Sequence, residues 1–527
     1  MGIPSYFSHI IKEHRKIIKT YNQDNFKVHN LYMDANSIIY DSFYSIKDEF
    51  KNKKQFEMLI YKTSCEKIEQ IITSLNATNC FLAFDGVAPN AKLEQQRQRR
   101  FKSVFNKKLF EKFEIYDNTK WSTNSITPGT EFMINLDKYI SNHFKLFQKN
   151  NPFLNKFIFS GCSKEGEGEH KIFDYVRNND HLNQNTLIYG LDADLIMLSI
   201  CHLPYCNNIY LYRETPEFIK SIDSSLEVNK HYLLDINELG FQIQYNITNK
   251  TSEKLNNDIL NDYIFLCFFL GNDFMPHFPS LNIRKNGIFI LQDCYCETLS
   301  KNNLFLTKNN TIQWKNVRKF ISKLQIMERD MFIHENKERE KLSKRFYPTN
   351  NEEEIKTKIL NIPTQNREQE IFINPNEDNW QARYYSTCFN IEYNDARIKQ
   401  ICTNFLEALE WTFAYYTKGC IDKSWKYNYN YAPLLEDLYN NIPYFETSFF
   451  SDKNVSSKCV SPLTQLVYVL PPESYDLLPN NIPNNALEYL NENEFNYDFK
   501  WLYCKYFWES HAILPELNIN KIESLLV

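Results

Sequence analysis

The sequence predicts an α/β protein: a mostly parallel central sheet flanked by helices, with an aromatic-rich, largely helical second segment packed on it. Two observations carry this. Four short apolar runs each end in an acidic or glycine-marked turn and lead into a helical pattern, the alternation from which parallel sheets are built. Aromatic-rich sequence then resumes beyond a charged stretch, at NWQARYY (Asn379 to Tyr385), and continues to the end.

The runs, in order, are NLYMD (Asn30 to Asp34), CFLAFDG (Cys80 to Gly86), KFIFSG (Lys156 to Gly161) and TLIYGLDAD (Thr186 to Asp194). Ligands of such sheets sit at the carboxyl ends of the strands, which is where Asp34, Asp85, Asp192 and Asp194 fall. A long helical stretch, Asn261 to Phe274, stops at Gly271 and leaves Asp273 just beyond, with Pro276 barring continuation. Composition shifts after about residue 330. Lys337 to Glu370 is rich in charge, Asn and Thr, the composition of a linker or a solvated helical arm. The expected division is 1–330 as the core with the acidic positions, 331–378 as a charged linker or helical arm, and 379–527 as a second segment packing on the core.

Hydrophobic content of 43% and charged content of 24% over 527 residues suit a globular chain rather than a disordered one. Formal net charge is −5, so a polyanion would have to be held by a local patch. The thirteen cysteines are odd in number and form no CxxC pair. A zinc site or disulfide framework is therefore not expected, and free thiols in a reducing compartment are. The N-terminus lacks a signal-peptide layout, and no apolar run reaches the length of a membrane span. The expectation is an intracellular protein without a membrane partner, cytoplasmic rather than nuclear.

To the aspartates are added Glu167 and Glu169 from KEGEGEHK (Lys164 to Lys171), where a helix is expected to start near His170. Carboxylates this dense cannot all ionise side by side without cations, and oxygen-rich sites suit Mg²⁺ or Mn²⁺. Two such ions activate water and stabilise the leaving oxygen of a phosphodiester. Taken singly, each residue has a plainer reading as a helix cap, a turn or an exposed loop. A second signal is AKLEQQRQRRFKSVFNKK, Ala91 to Lys108, with seven basic residues against one Glu. On a helix of ~100° per residue, Lys92, Gln96, Arg99 and Arg100 share about a third of the circumference. That face suits a terminal phosphate; the alternative is a solvated basic helix. Tyr40 and Trp425 could each stack a base or belong to the core.

Together these stretches resemble the XRN family of 5′→3′ exoribonucleases. The matching motifs are MGIPSYF, NLYMDANSIIY, FDGVAPNAKLEQQRQRRF, ITPGTEFM, GEGEHK, YGLDADLIML and GNDFMPHFP, followed in the second half by NWQARYY, SWKYNYNYAP and SPLTQLVYVLPPESYDLLP. The resemblance implies a nuclease core of the PIN and flap-endonuclease kind. It implies two metal ions on Asp34, Asp85, Glu167, Glu169, Asp192, Asp194 and Asp273. It places a 5′-monophosphate pocket on Lys92, Gln96, Arg99 and Arg100, with Tyr40 and Trp425 stacking the leading bases. The implied activity is processive hydrolysis of single-stranded RNA with a 5′-monophosphate to nucleoside 5′-monophosphates. A decapping or 5′-end-processing enzyme would be the partner that supplies such ends. Tyr40 stands where the family usually has histidine, Ser37 where it has glycine, and no zinc-knuckle spacing is present. The expectation is a short form without the extra C-terminal domains of large cytoplasmic members. The rival readings are a structure-selective 5′ nuclease of flap-endonuclease type and a non-catalytic RNA-binding scaffold.

Overall fold

All four runs are strands in the computed structural model, which describes every residue except 1, 117–119, 216–219, 221–223, 452–454, 481, 492–497 and 527. They join three others in one sheet: Ile18–Lys19 (β1), Asn30–Asp34 (β2), Asn79–Ala83 (β3), Lys156–Ser160 (β4), Thr186–Tyr189 (β5), Ile209–Glu214 (β6) and His231–Asp235 (β7). The order is β1-β7-β6-β5-β2-β3-β4. From β4 to β6 the neighbours are parallel, while β7 runs antiparallel to both β6 and β1. Strands β1, β6 and β7 were not anticipated: β1 is only two residues long, while β7 does carry the same signal, ending in Asp235, whose side chain caps a helix over Ile236–Thr248.

The chain crosses from β2 to β3 and β4 on one side, then returns to place β5 on the other side of β2. That reversal opens a crevice at the carboxyl end of β2, the place where open α/β sheets bind ligands. Alternate residues of the strands serve two cores, as the two-residue period of a pleated strand requires. Leu31, Met33, Leu82 and Leu187 enter one, while Tyr32, Phe81 and Ile188 enter the other.

Helices relevant to the crevice are Tyr6–Glu13 (α1), Asn36–Ile46 (α2), Lys53–Leu75 (α3), Asn90–Glu111 (α4), Glu131–Asn150 (α5), Gly168–Arg177 (α6) and Asp194–Cys201 (α7). Helices α2, α3 and α5 cover the first face through Ile39, Ile60 and Leu136. Helices α1, α6 and α7 cover the second through Ile10, Ile172 and Leu195, in a core that continues into the later helices. The expected helix over Asn261 to Phe274 begins earlier and ends sooner, at Asn257–Phe268. Its end tightens into a turn in which the amide of Gly271 donates to the carbonyl of Phe268 at 3.0 Å. Gly271 then takes φ +80, a conformation that suits glycine.

The boundary expected at residue 330 falls inside one helix, Trp314–Ser343. The stretch beyond it is helical, with Glu352–Leu360, Ile362–Gln365 and Glu368–Ile373 following. It is anchored rather than solvated: Arg339 and Glu370 are 2% and 1% exposed and form a two-pronged ion pair at 2.8 and 2.6 Å. The charge-rich composition misleads here because some of its charges are paired inside. The long helix Asp395–Thr417 of the second segment buries residues along its whole length and reaches the crevice. Among the described residues no helix is long and apolar enough to cross a membrane, and all the cysteines are free.

Candidate metal and phosphate site

Parallel register explains how carboxylates far apart in sequence meet. Asp34 ends β2 opposite Ala83 of β3, and Asp85 follows two residues later. Asp192 follows β5, the other neighbour of β2. The loop after β4 is stitched to the loop after β3 by two backbone hydrogen bonds, from Gly86 to Gly166 and from Gly166 to Val87, both 2.8 Å. This brings the start of α6 against Asp85, whose Oδ1 accepts from the amide of Gly168 at 2.7 Å. Glu167 occupies the N-cap position of α6 but makes no capping bond. Its carboxylate turns inward to Lys92 Nζ at 2.6 Å and to the hydroxyl of Tyr415 at 2.8 Å. The helix starts at Gly168, close to the position expected from the sequence.

A cavity of about 200 Å³ is lined both by the carboxylates Asp34, Asp85, Glu167, Glu169 and Asp192 and by Lys92, Gln96, Arg99, Arg100 and Tyr40. Ligand oxygens of Asp34, Glu169 and Asp192 lie within 4.8 Å of one another, as do ligand atoms of Glu167, Glu169 and His170. Glu169 belongs to both groups. The donor set is nearly all carboxylate oxygen, which fits divalent cations of the Mg²⁺ and Mn²⁺ kind. Asp34 Oδ1 is buried without a hydrogen-bond partner, as a cation ligand would be. Asp194 and Asp273 stand behind this cavity rather than in its lining. Asp194 begins α7, and Asp273 accepts from Lys92 Nζ at 2.7 Å.

Burial, reinforced by Asp85, Asp192 and Glu167, pushes Asp34 well above the usual carboxylate range. Burial and then Glu167 and Asp194 do the same to Glu169. Asp194 is pushed up to about 7 by burial and by Asp273. Burial also raises Glu167, against the opposing pull of Lys92. Asp273 runs the other way: burial is the largest influence and would raise it, but Lys92, through its charge and its hydrogen bond, together with other nearby positive charge holds it below the ordinary range. A set of carboxylates that resist ionising together is one that a multivalent cation stabilises.

The basic stretch is α4, and three of its four named residues differ from a solvated helix. Gln96 and Arg100 are 6% and 7% exposed, and Lys92 is half-committed to Glu167 and Asp273. Arg99 alone is exposed. Arg100 donates from Nη2 to Thr127 Oγ1 at 2.7 Å, which fixes its guanidinium at the cavity wall. Lys92 is therefore paired with carboxylates instead of standing free beside the arginines.

Trp425 is not at this cavity. It is 7% exposed, donates to Glu407 at 3.1 Å and stacks on Trp411 with ring centroids 5.2 Å apart. Trp411 in turn stacks on Tyr415 at 4.6 Å, so Trp425 is the far end of an aromatic column that terminates in the Tyr415–Glu167 hydrogen bond. The structure does not bring Trp425 to the cavity that holds Tyr40; Trp425 lines a separate one with Asn90, Asn404 and Lys426, and through the column it backs the Tyr415–Glu167 contact. Sequence reasoning missed Tyr415, Thr127 and Asn36, whose amide donates to Asp85 Oδ2. Asn36 and Thr127 lie inside motifs already flagged; nothing local marks Tyr415.

Residues 1–215 match the family model described as XRN 5'-3' exonuclease N-terminus, and residues 254–376 and 364–488 match the one described as Xrn1 helical domain. The chain is 25% identical over 643 residues to the 5'-3' exoribonuclease 2 of Arabidopsis thaliana, covering 95% of this chain and 62% of that one. It is 28% identical over 594 residues to the 5'-3' exoribonuclease 1 of Homo sapiens, covering 99% of this chain and 34% of that one. It thus spans from about a third to three-fifths of these relatives' lengths. Among solved structures, the catalytic core of Rad2 in complex with DNA substrate aligns with TM-score 0.32 and 12% identity, over 60% of this chain and 84% of that chain. The two family matches together cover most of the chain, and it belongs to the XRN family of 5′→3′ exonucleases.

Proposed function

We propose that this protein is a processive 5′→3′ exoribonuclease that hydrolyses single-stranded RNA bearing a 5′-monophosphate to nucleoside 5′-monophosphates. The observation that carries the reading is that one cavity is lined by five carboxylates and by Gln96, Arg99 and Arg100. Asp34, Asp85, Glu167, Glu169 and Asp192 would hold two divalent cations, Mg²⁺ or Mn²⁺, with Asp194 and Asp273 behind them. Bound there, such ions supply an activated water and charge stabilisation for the leaving oxygen. Arg99 and Arg100 would grip the terminal phosphate with Gln96, and Lys92 would share its charge between phosphate and carboxylates. Tyr40, at the cavity rim, would stack the leading base. Asn36 and the amide of Gly168 orient Asp85; Tyr415 orients Glu167. We place the protein in the cytoplasm, a reading supported by its free thiols, downstream of an enzyme that leaves 5′-monophosphate ends.

The test is a matched digestion. A 3′-labelled RNA carrying a 5′-monophosphate, triphosphate or hydroxyl is incubated with Mg²⁺ or with EDTA. Loss of the monophosphate RNA alone, only with Mg²⁺ and without a ladder, is expected. Asp192→Ala is expected to abolish turnover while RNA binding persists, and Arg100→Ala to erode the end preference. Equal digestion of all three ends by the wild type would remove the pocket assignment, and full turnover in EDTA would remove the metal assignment.

A further inference from the structure

His170 is 6% exposed, and neither of its ring nitrogens has a hydrogen-bond partner. Buried polar atoms without partners are rare and call for a physical reason. Its Nε2 lies 3.6 Å from Glu169 Oε1. That is too long for a hydrogen bond, and it is inside the ~4.2 Å that two ligands can span on one ion at ~2.1 Å per bond. Ligand atoms of Glu167, Glu169 and His170 all fall within 4.8 Å of one another, and all three residues are buried.

The supports of this trio converge on one side chain. The ring of Tyr415 packs on the imidazole with centroids 3.6 Å apart, while its hydroxyl donates to Glu167 Oε2 at 2.8 Å. One tyrosine therefore sets both the nitrogen and one of the carboxylates. Glu169 also belongs to the group with Asp34 and Asp192, so the position beside His170 and the all-oxygen position share a ligand.

We propose that His170 is a nitrogen ligand to one of the two cations, which makes that position a mixed carboxylate–imidazole site preferring Mn²⁺ to Mg²⁺. The inference rests on the two-cation reading above and assigns different chemistry to its two positions. Magnesium is a hard ion that gains little from imidazole, whereas affinity for nitrogen rises from Mn²⁺ onward among the first-row divalent ions. The Asp34–Glu169–Asp192 position, built from oxygen alone, remains suited to either ion.

Pulsed electron paramagnetic resonance of the protein with Mn²⁺ tests this without an activity assay. The wild type should show the coupling of a directly coordinated ¹⁴N nucleus, changed on labelling histidine with ¹⁵N. In His170→Phe the coupling should vanish while Mn²⁺ stays bound to the carboxylates. Calorimetric titration of His170→Gln should show the preference for Mn²⁺ over Mg²⁺ falling about tenfold. Wild-type protein that binds Mn²⁺ with no nitrogen coupling would overturn the proposal and leave the two-cation reading standing. Wild-type protein that binds neither ion would overturn both. The wild-type spectrum decides the matter even if His170→Phe fails to fold.

Discussion

Glu167 receives two donors, Lys92 Nζ at 2.6 Å and the Tyr415 hydroxyl at 2.8 Å, and they do different things. Lysine offers charge from a flexible stem, whereas tyrosine offers direction from a ring wedged between Trp411 and Phe274. A hydrogen bond to a charged group is worth roughly 1.5–3 kcal/mol, on the order of a tenfold to hundredfold effect. Tyr415→Phe keeps the ring and the column but removes the direction. It should lower kcat about tenfold or more with KM little changed, read from single-turnover digestion at saturating RNA. An unchanged kcat would mean that Lys92 alone orients the carboxylate. Trp425 carries a lesson at the same scale. Its flanking sequence attracts attention, yet its indole is committed to Glu407 and Trp411.

At the scale of elements, the junction of the β4 loop with α6 is a tight joint that bears directly on a cation-facing carboxylate. A Cβ on Gly168 would stand 2.5 Å from Asp34 Oδ1 and 3.5 Å from the carbonyl oxygen of Ala83. The clashing atom is the tip of a side chain, so the fold can yield while the site cannot. Gly168→Ala should leave the melting temperature nearly unchanged, since alanine regains about 0.5–1 kcal/mol of helix stability relative to glycine. Its Mn²⁺ affinity, measured by calorimetry, should fall at least tenfold as Asp34 is pushed off its position. Unchanged Mn²⁺ affinity in the folded variant would contradict this division of roles.

Across the whole molecule, the helix Trp314–Ser343 and the segments after it tie the second segment to the sheet-bearing half. Glu370 accepts from Arg339, from Arg367 Nε at 2.8 Å and from the amide of Tyr503 at 2.7 Å. Removing one partner of a buried charge network typically costs about 3–5 kcal/mol. Glu370→Ala should therefore lower denaturant-unfolding stability by about that much, since it strands two buried guanidinium groups; a loss under ~1 kcal/mol would mean the arm is not anchored there. The same helix carries a pH dependence. Glu328, buried, accepts from the amide of Leu435 at 2.8 Å, and burial pushes its carboxyl up to about 8. Because its folded value exceeds the unfolded one of about 4.3, this stabilising contribution is complete below pH ~4 and is lost as pH rises toward 8. Glu328→Gln, neutral throughout, should melt increasingly above the wild type between pH 5 and pH 8. A gap that stays flat over that window would refute the assignment.

What the sequence by itself determined is local and periodic. Strand runs ending in Asp34 and in the Asp192 turn, the loop bearing Glu167 and Glu169, and the basic face of α4 were legible because each couples an apolar period to a polar terminus. The sheet order then makes their convergence intelligible, since neighbouring parallel strands deliver their ends to one edge. The tertiary structure alone decided the rest. Lys92 joins the carboxylates because Glu167 and Asp273 meet it from two separate loops. Trp425 turns inward because Trp411 lies beneath it. Tyr415 reaches Glu167 across 248 residues of chain. The arm after residue 330 reads as solvated because its buried face carries Glu335 and Arg339 among its few apolar residues, and composition registers a charge but not its partner. Pairing is a property of space, and it is pairing that turns exposed-looking charges into structure and expensive carboxylates into a site.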